Sequence, residues 1–430
     1  MARGAVVALL LTPSIPTFEG IPSIRTEDVL LFGSAAVALA HLSLGGSVRV
    51  AWGLRQTLLV GFAVFVPLSI LAGVLQHFPG TPGDLNQWIR LSKYVLIYTA
   101  VATYVRVGGA PAEKREEVLC LVVFCSVVLA AVSVQQFFDL FGLNSMYVEF
   151  VAPTQSETLL AEGAIPRPVG LAGNPNELGF LFALSALLSI YLLLTRDQKG
   201  YWVTLAIQLM ALLLTLSRSA VFGLVGGTMA LLVLSGALKR WLEVTGFGRT
   251  VGALALGAAV VLAVAWQTGY LSQATVRLSG FLNPFETAAY RIRIDHWQEN
   301  ISLFLESPLF GVGPLRQTDF IRHAADNEYL LFLRTYGLTG TLYLGAVFLL
   351  PQLPALRRRS NAGPGMDRAT LLADCVLVAC LLYMIPAAVY HSLVLMPVVL
   401  VLLAIGDWTL GPYAMSVVGS VERKEAENAR

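Results

Sequence analysis

Charge is what this sequence has least of. Only 13% of its 430 residues are Asp, Glu, Lys or Arg, against about 25% in a soluble domain, while 56% are hydrophobic. No water-soluble fold hides so much apolar surface, so the chain reads as an integral membrane protein and not as a soluble enzyme or nucleic-acid binder. The net charge of +2 says nothing about partners; where the charges stand says more. Cysteine is scarce too. Cys120, Cys125, Cys375 and Cys380 all lie in apolar runs, and each pair is spaced onto different helix faces, so the four read as small core residues and not as a disulfide framework or metal site. No internal repeat or low-complexity tract stands out. The first apolar run, Ala5 to Leu11, is short and is followed by no small-residue cleavage site, so it reads as part of a retained helix.

What the sequence does have is apolar length. A bilayer core of about 30 Å needs roughly 20 apolar residues per helix. Suitable stretches run near Ala5–Phe18, Val29–Leu44, Thr57–His77, Trp88–Val107, Val118–Leu140, Pro175–Leu194, Tyr201–Leu216, Ser219–Leu238, Val251–Tyr270, Asn327–Leu350, Thr370–Tyr390 and Ser392–Leu410. The expected fold is an all-α polytopic membrane protein of about twelve spans. It divides into N-terminal transmembrane helices (1–140), an outer loop (141–174), central helices (175–270), a large outer loop (271–326), C-terminal helices (327–410) and a tail (411–430). Most Lys and Arg fall on one side when the N-terminus is cytoplasmic, with Arg357, Arg358 and Arg359 as the strongest anchor, so both termini are expected inside. The tail beyond Pro412 is polar, and its end is expected to be disordered.

A minority of basic residues falls on the translocated side, against that rule: Arg25, Arg90, Lys93, Arg167, Arg218, Arg277, Arg291, Arg293, Arg316, Arg322 and Arg334. Arg90, Lys93, Arg218 and Arg334 stand at or near helix ends, where snorkelling competes with function as the explanation. The stretch Leu278 to Gly340 is especially dense in charge. Within it an amphipathic helix is expected near Thr287 to Glu306, with Ile294, Trp297, Ile301, Phe304 and Leu305 on one face.

Four local patterns carry chemistry. Arg167-Pro168 precedes Gly170 to Glu177, where Asn174 suits an N-cap, Pro175 the first helical position and Glu177 a capping box. A helix N-terminus beside an arginine suits a phosphate group. Ser217-Arg218-Ser219 breaks a long apolar run, with Ser217 as cap of the second helix. Arg293 and Trp297 lead into Glu306-Ser307-Pro308-Leu309-Phe310-Gly311-Val312-Gly313, a helix, a proline stop and a glycine turn. Asp326-Asn327-Glu328-Tyr329-Leu330 then runs into Gly337 and Gly340, with Asp326 able to cap the helix that follows.

Taken in order, these motifs resemble the O-antigen ligase and O-antigen polymerase (Wzy-type) superfamily of bacterial polysaccharide assembly, over about Arg167 to Gly340. The resemblance implies a GT-C-like helical fold in the inner membrane and a periplasmic active site. It implies a glycosyltransferase using an undecaprenyl-diphosphate-linked oligosaccharide and an acceptor glycolipid, among membrane lipids and with a chain-length regulator as a candidate partner. No cofactor, metal or nucleic acid is expected. By the same resemblance Arg167, Arg218 and Arg293 would hold the diphosphate. Asn176, Arg291, Tyr329, Arg90 and Lys93 are further candidate donor or acceptor contacts. The ligase branch opens the Asp-Asn-x-Tyr-Leu motif with a histidine that serves as proposed base. Here that position is Asp326, with His323 just upstream, which favours the polymerase branch and makes Asp326 the first candidate base and His323 the second. The rivals are an O-antigen ligase, which would move glycan onto lipid A-core, a small-anion transporter, and a non-catalytic assembly scaffold.

Overall fold

The computed structural model describes residues 2–12, 25–44, 47–75, 82–107, 109–151, 166–196, 200–235, 288–313, 327–353, 368–392, 394–407 and 415–418. These form α1 (Ala2–Leu11), α2 (Thr26–Ser43), β1 (Ser47–Val50), α3 (Leu54–Leu75), α4 (Pro82–Arg106), α5 (Pro111–Phe138), α6 (Asn144–Val151), α7 (Pro175–Arg196), α8 (Gly200–Thr215), α9 (Arg218–Leu234), α10 (Ala288–Glu306), α11 (Glu328–Leu349), α12 (Arg368–Tyr383), α13 (Leu395–Gly406) and β2 (Met415–Val418). Helices thus occupy the apolar stretches named above, except Val251–Tyr270, which lies outside the described residues. Among the described helices, α3, α5 and α7 are long and apolar enough to cross a bilayer, and α8, α9, α12 and α13 are apolar but shorter. The chain is a helical membrane protein. In the tail β2 pairs antiparallel with β1, Met415 opposite Val50, and the tail's end lies outside the described residues. A Met-Ser-Val-Val segment has the side chains of a strand, and β1 offers it an edge.

The bundle is built around α13, every residue of which is buried. A helix apolar on all sides belongs in an interior, and α4, α7 and α12 pack around this one. Helix α9 shows the opposite division. Phe222, Val225, Met229 and Val233 are exposed at helical spacing, the pattern of a lipid-facing side. Gly223 and Gly227 face inward; a Cβ on Gly223 would lie 2.8 Å from the Phe180 ring, and one on Gly227 3.0 Å from Ala379 Cβ. Small residues at this spacing let α9 close onto α7 and α12, as helices do where lipid competes equally for apolar faces. The cysteines match their expected role, with Cys125, Cys375 and Cys380 buried and Cys120 half-buried.

At the bundle end where α3 and α4 meet the end of α13, Arg55 and Asp407 form a fully buried ion pair at 2.8 Å. Arg55 also donates to Val347 O at 2.8 Å, and Tyr98 Oη to Asp407 at 2.5 Å. This clamp ties α3, α4, α11 and α13 together. Earlier along α4, Lys93 pairs with Glu27 at 2.9 Å and Asp28 at 2.8 Å, while Arg25 meets Glu27 at 2.7 Å.

The Pro308–Gly313 motif has a structural role. Helix α11 breaks at Gly337, where φ is 64° and ψ −169°. A break frees backbone groups that an apolar interior cannot satisfy. Here the segment after α10 takes them: Val312 N donates to Arg334 O at 2.8 Å, Gly313 N to Thr335 O at 3.1 Å, Leu338 N to Pro308 O at 2.8 Å and Thr339 N to Leu309 O at 3.1 Å. Ser69 Oγ of α3 lies 2.9 Å from Phe310 O and 3.1 Å from Thr335 O. The two backbones are so close that a Cβ on Gly311 would stand 2.6 Å from Gly337 N, and one on Gly337 2.5 Å from Phe310 N. Helix α10 is therefore bolted to α11 through its trailing loop.

Helix α10 lies where the sequence placed it. Asn300 and Leu303 are buried, whereas Ile301 is 43% and Leu305 67% exposed. Of the expected apolar face, Ile301 and Leu305 are exposed while Ile294, Trp297 and Phe304 are half-buried, and the polar Asn300 is buried. In a membrane protein apolar periodicity no longer marks the inside.

Candidate active site

The start of α7 is built largely as its sequence implies. Asn174 Oδ1 accepts from Asn176 N at 2.8 Å, and its carbonyl accepts from Leu178 N at 3.0 Å. Glu177 does not close the capping box. Its carboxylate accepts from Ser392 Oγ at 2.7 Å, a partner brought in from the α12–α13 connection. Arg167 Nη2 donates to Asn176 Oδ1 at 2.9 Å, and its Nε to Thr215 O at 3.0 Å, on the last residue of α8. The chain then reverses through Leu216 at φ 53°. Ser217 caps α9, accepting from Ala220 N at 3.4 Å, and Arg218 is the first residue of that helix, with its side chain exposed. A Cβ on Gly179 would lie 2.7 Å from Ser217 Cβ, so α7 rests directly on this turn. The N-termini of α7 and α9 thus lie side by side, with Arg167 tying the start of α7 to the end of α8 just before the α9 cap, and Arg218 opening α9. Two helix N-termini and two guanidinium groups make a strongly anion-favouring site.

A second group lies at the start of α11. Asn327 is its cap, accepting from Leu330 N at 3.1 Å, the role expected of Asp326. Glu328 is fully buried. One carboxylate oxygen accepts from Val389 N and, at 2.9 Å, from Tyr390 N; the other meets His391 Nδ1. Arg90 Nη1 donates to His391 O at 2.9 Å, and Tyr94 Oη to Tyr390 O at 2.6 Å. Burial holds the His391 imidazole below its ordinary pKa, while Glu328 pulls it upward. Ser392, the next residue, reaches Glu177, and Tyr383 stacks on Phe180 with ring centroids 3.9 Å apart, within the fields of Glu177, Glu328 and Arg167. The two groups therefore share one region of the bundle.

The remaining candidates fall as follows. Arg293, half-buried, and Arg291 stand on α10, which packs on α11. Asp326 and His323 lie outside the described residues. Tyr329 Oη donates to Leu381 O at 2.7 Å, and Lys93 is buried against Glu27 and Asp28, so both side chains expected to touch substrate are engaged within the chain. Arg334 is not a snorkelling residue. It is fully buried, its guanidinium nitrogens have no hydrogen-bond partner among the described residues, and Glu299 on α10 supplies opposing charge. Sequence reasoning set Glu328 aside and passed over His391 and Ser392. The available signal was a histidine and a serine between two apolar runs, on the side where the arginines gather.

The fold is that of a helical membrane protein, and this edge of it gathers two helix N-termini and two arginines. A family model described as O-antigen ligase matches residues 203–345, a segment that contains Arg218, Arg293, the Gly311–Gly337 interlock and Glu328. That match supports a likeness to the O-antigen ligase/polymerase superfamily over this segment. No curated protein matches the chain.

Proposed function

We propose that the chain is a glycan polymerase of the bacterial inner membrane. It transfers a growing chain from undecaprenyl diphosphate to the next lipid-linked repeat unit. The observation that carries this reading is the meeting of the α7 and α9 N-termini, with Arg167 bridging the start of α7 to the last residue of α8, just before the α9 cap, and Arg218 at the first residue of α9. In this reading the chain makes about twelve crossings in a GT-C-like arrangement, with both termini cytoplasmic and the paired helix ends at the periplasmic face. Arginines on that side, against the topology rule, are expected if they meet a lipid diphosphate at headgroup level.

An acceptor hydroxyl attacks the anomeric carbon, and the bond to the diphosphate breaks with its electron pair leaving on phosphate oxygen. Arg167 and Arg218, joined by Arg293 from α10, offset that developing charge. The guanidinium groups do this without a metal. A base takes the hydroxyl proton. Asp326 and then His323 are the residues the motif offers.

A ligase is the second reading, supported by the description of the matching family model. Deletion in a producing strain separates the two. A polymerase deletion leaves single-repeat caps, and a ligase deletion leaves polymer on the lipid carrier. With purified protein and lipid-linked repeats, Arg167→Lys and Arg218→Lys keep the charge but lose the bidentate fork, and each should slow transfer about 10- to 100-fold. Wild-type rates in both variants would refute the reading.

A further inference from the structure

The Glu328–His391 pair has the geometry of an oriented proton acceptor. Glu328 has no exposed surface, and it is held by the Val389 and Tyr390 amides, so its remaining oxygen faces His391 Nδ1 in a fixed direction. A carboxylate opposite Nδ1 requires the proton there, which leaves the lone pair on Nε2. Nε2 is buried and has no hydrogen-bond partner among the described residues. The ring is confined by Phe332 and Tyr390, with centroids 5.6 and 5.0 Å away. Its backbone carbonyl is held by Arg90, and its neighbour Ser392 is tied to Glu177, one residue from the Asn176 that fixes Arg167.

We infer that His391 is the catalytic residue that receives the acceptor hydroxyl proton, with Glu328 as its positioning residue, in place of Asp326. The inference rests on the transferase reading above. The acceptor O–H bond breaks and its proton passes to Nε2. The freed oxygen pair forms the new bond to the anomeric carbon, and the old bond to the diphosphate breaks with its pair. The charged groups around the ring are Glu328 and Arg334 on α11, Arg90 on α4 and Glu177 on α7. Arg90 and Arg334 oppose protonation of the resting ring, as a base working near neutral pH needs.

The test is transfer by the full-length protein in liposomes with lipid-linked repeats. His391→Asn keeps a donor toward Glu328 and removes Nε2. It should lower kcat about 100-fold or more while the melting temperature stays near wild type. Added imidazole should restore part of the rate. Glu328→Gln should lose less than His391→Asn. The wild-type profile gives a measure that needs no variant: log kcat/KM should fall with unit slope on the acid side through a pKa below about 6.5. An Asp326 base would leave the profile flat to about pH 5. A flat profile, or a His391→Asn enzyme at wild-type rate beside a dead Asp326→Asn, would overturn the inference. Failure of the wild-type protein to transfer glycan would overturn the transferase reading itself.

Discussion

Replacing Gly337 by alanine tests how the α10 loop and α11 are held together. The backbone at Gly337 has φ 64° and ψ −169°, a conformation reached almost only by glycine, and forcing another residue into it costs about 1–3 kcal/mol. The new methyl would also stand 2.5 Å from Phe310 N, inside van der Waals contact with backbone that cannot turn aside. Overpacking of this kind costs about 1–3 kcal/mol more. The expected loss is about 2–6 kcal/mol, concentrated where Pro308 to Gly313 cross the broken helix. Gly345, on the same helix, is the control. It has open space where a Cβ would go and no unusual φ, so alanine there should be neutral or stabilising by about 0.5–1 kcal/mol. The assay is thermal unfolding of purified protein in detergent, followed by loss of the monodisperse peak. Gly337→Ala should melt clearly below wild type and Gly345→Ala at or above it. Equal melting of the two variants would refute the interlock. The consequence for function is positional: α10 carries Arg293, and its loop is the direct covalent route to the α11 segment beside Glu328.

Two further outcomes follow from buried charge. Arg55→Ala leaves Asp407 without its partner in a region with no exposure on either side chain, and should cost about 3–5 kcal/mol by the same melting assay. Wild-type melting would show that Tyr98 and the other surroundings of Asp407 satisfy it without Arg55. Lys93→Met should also destabilise the protein, though by less, because Arg25 still faces Glu27. Donor affinity measured from transfer kinetics should not change, and a raised KM would return Lys93 to the substrate site.

Much of this architecture could be read from apolarity, since a helix in a bilayer must be apolar for long enough, and α3, α5 and α7 announce themselves that way. The cap at Asn174, the start of α9 at Ser217 and the proline stop after α10 were legible for a local reason: each is decided by residues adjacent in the chain. Which residues of α10 are buried was not legible, because apolar residues such as Ile301 and Leu305 can be exposed where lipid is the alternative. The partner of Glu177 was not legible either. A capping box competes with any buried hydroxyl, and Ser392 arrives from 215 residues away. The same holds for Glu328 and His391, whose meeting depends on how α11 and the α12–α13 connection pack. The reciprocal need for Gly311 and Gly337 became visible only once their two backbones were seen to cross.

The most direct measurement is a structure of the protein with undecaprenyl diphosphate bound. The account predicts the diphosphate at the paired N-termini of α7 and α9, within hydrogen-bond distance of the Arg167 and Arg218 guanidinium groups and on the His391 side of the bundle. A diphosphate held elsewhere, with both arginines still turned to their present partners, would contradict it.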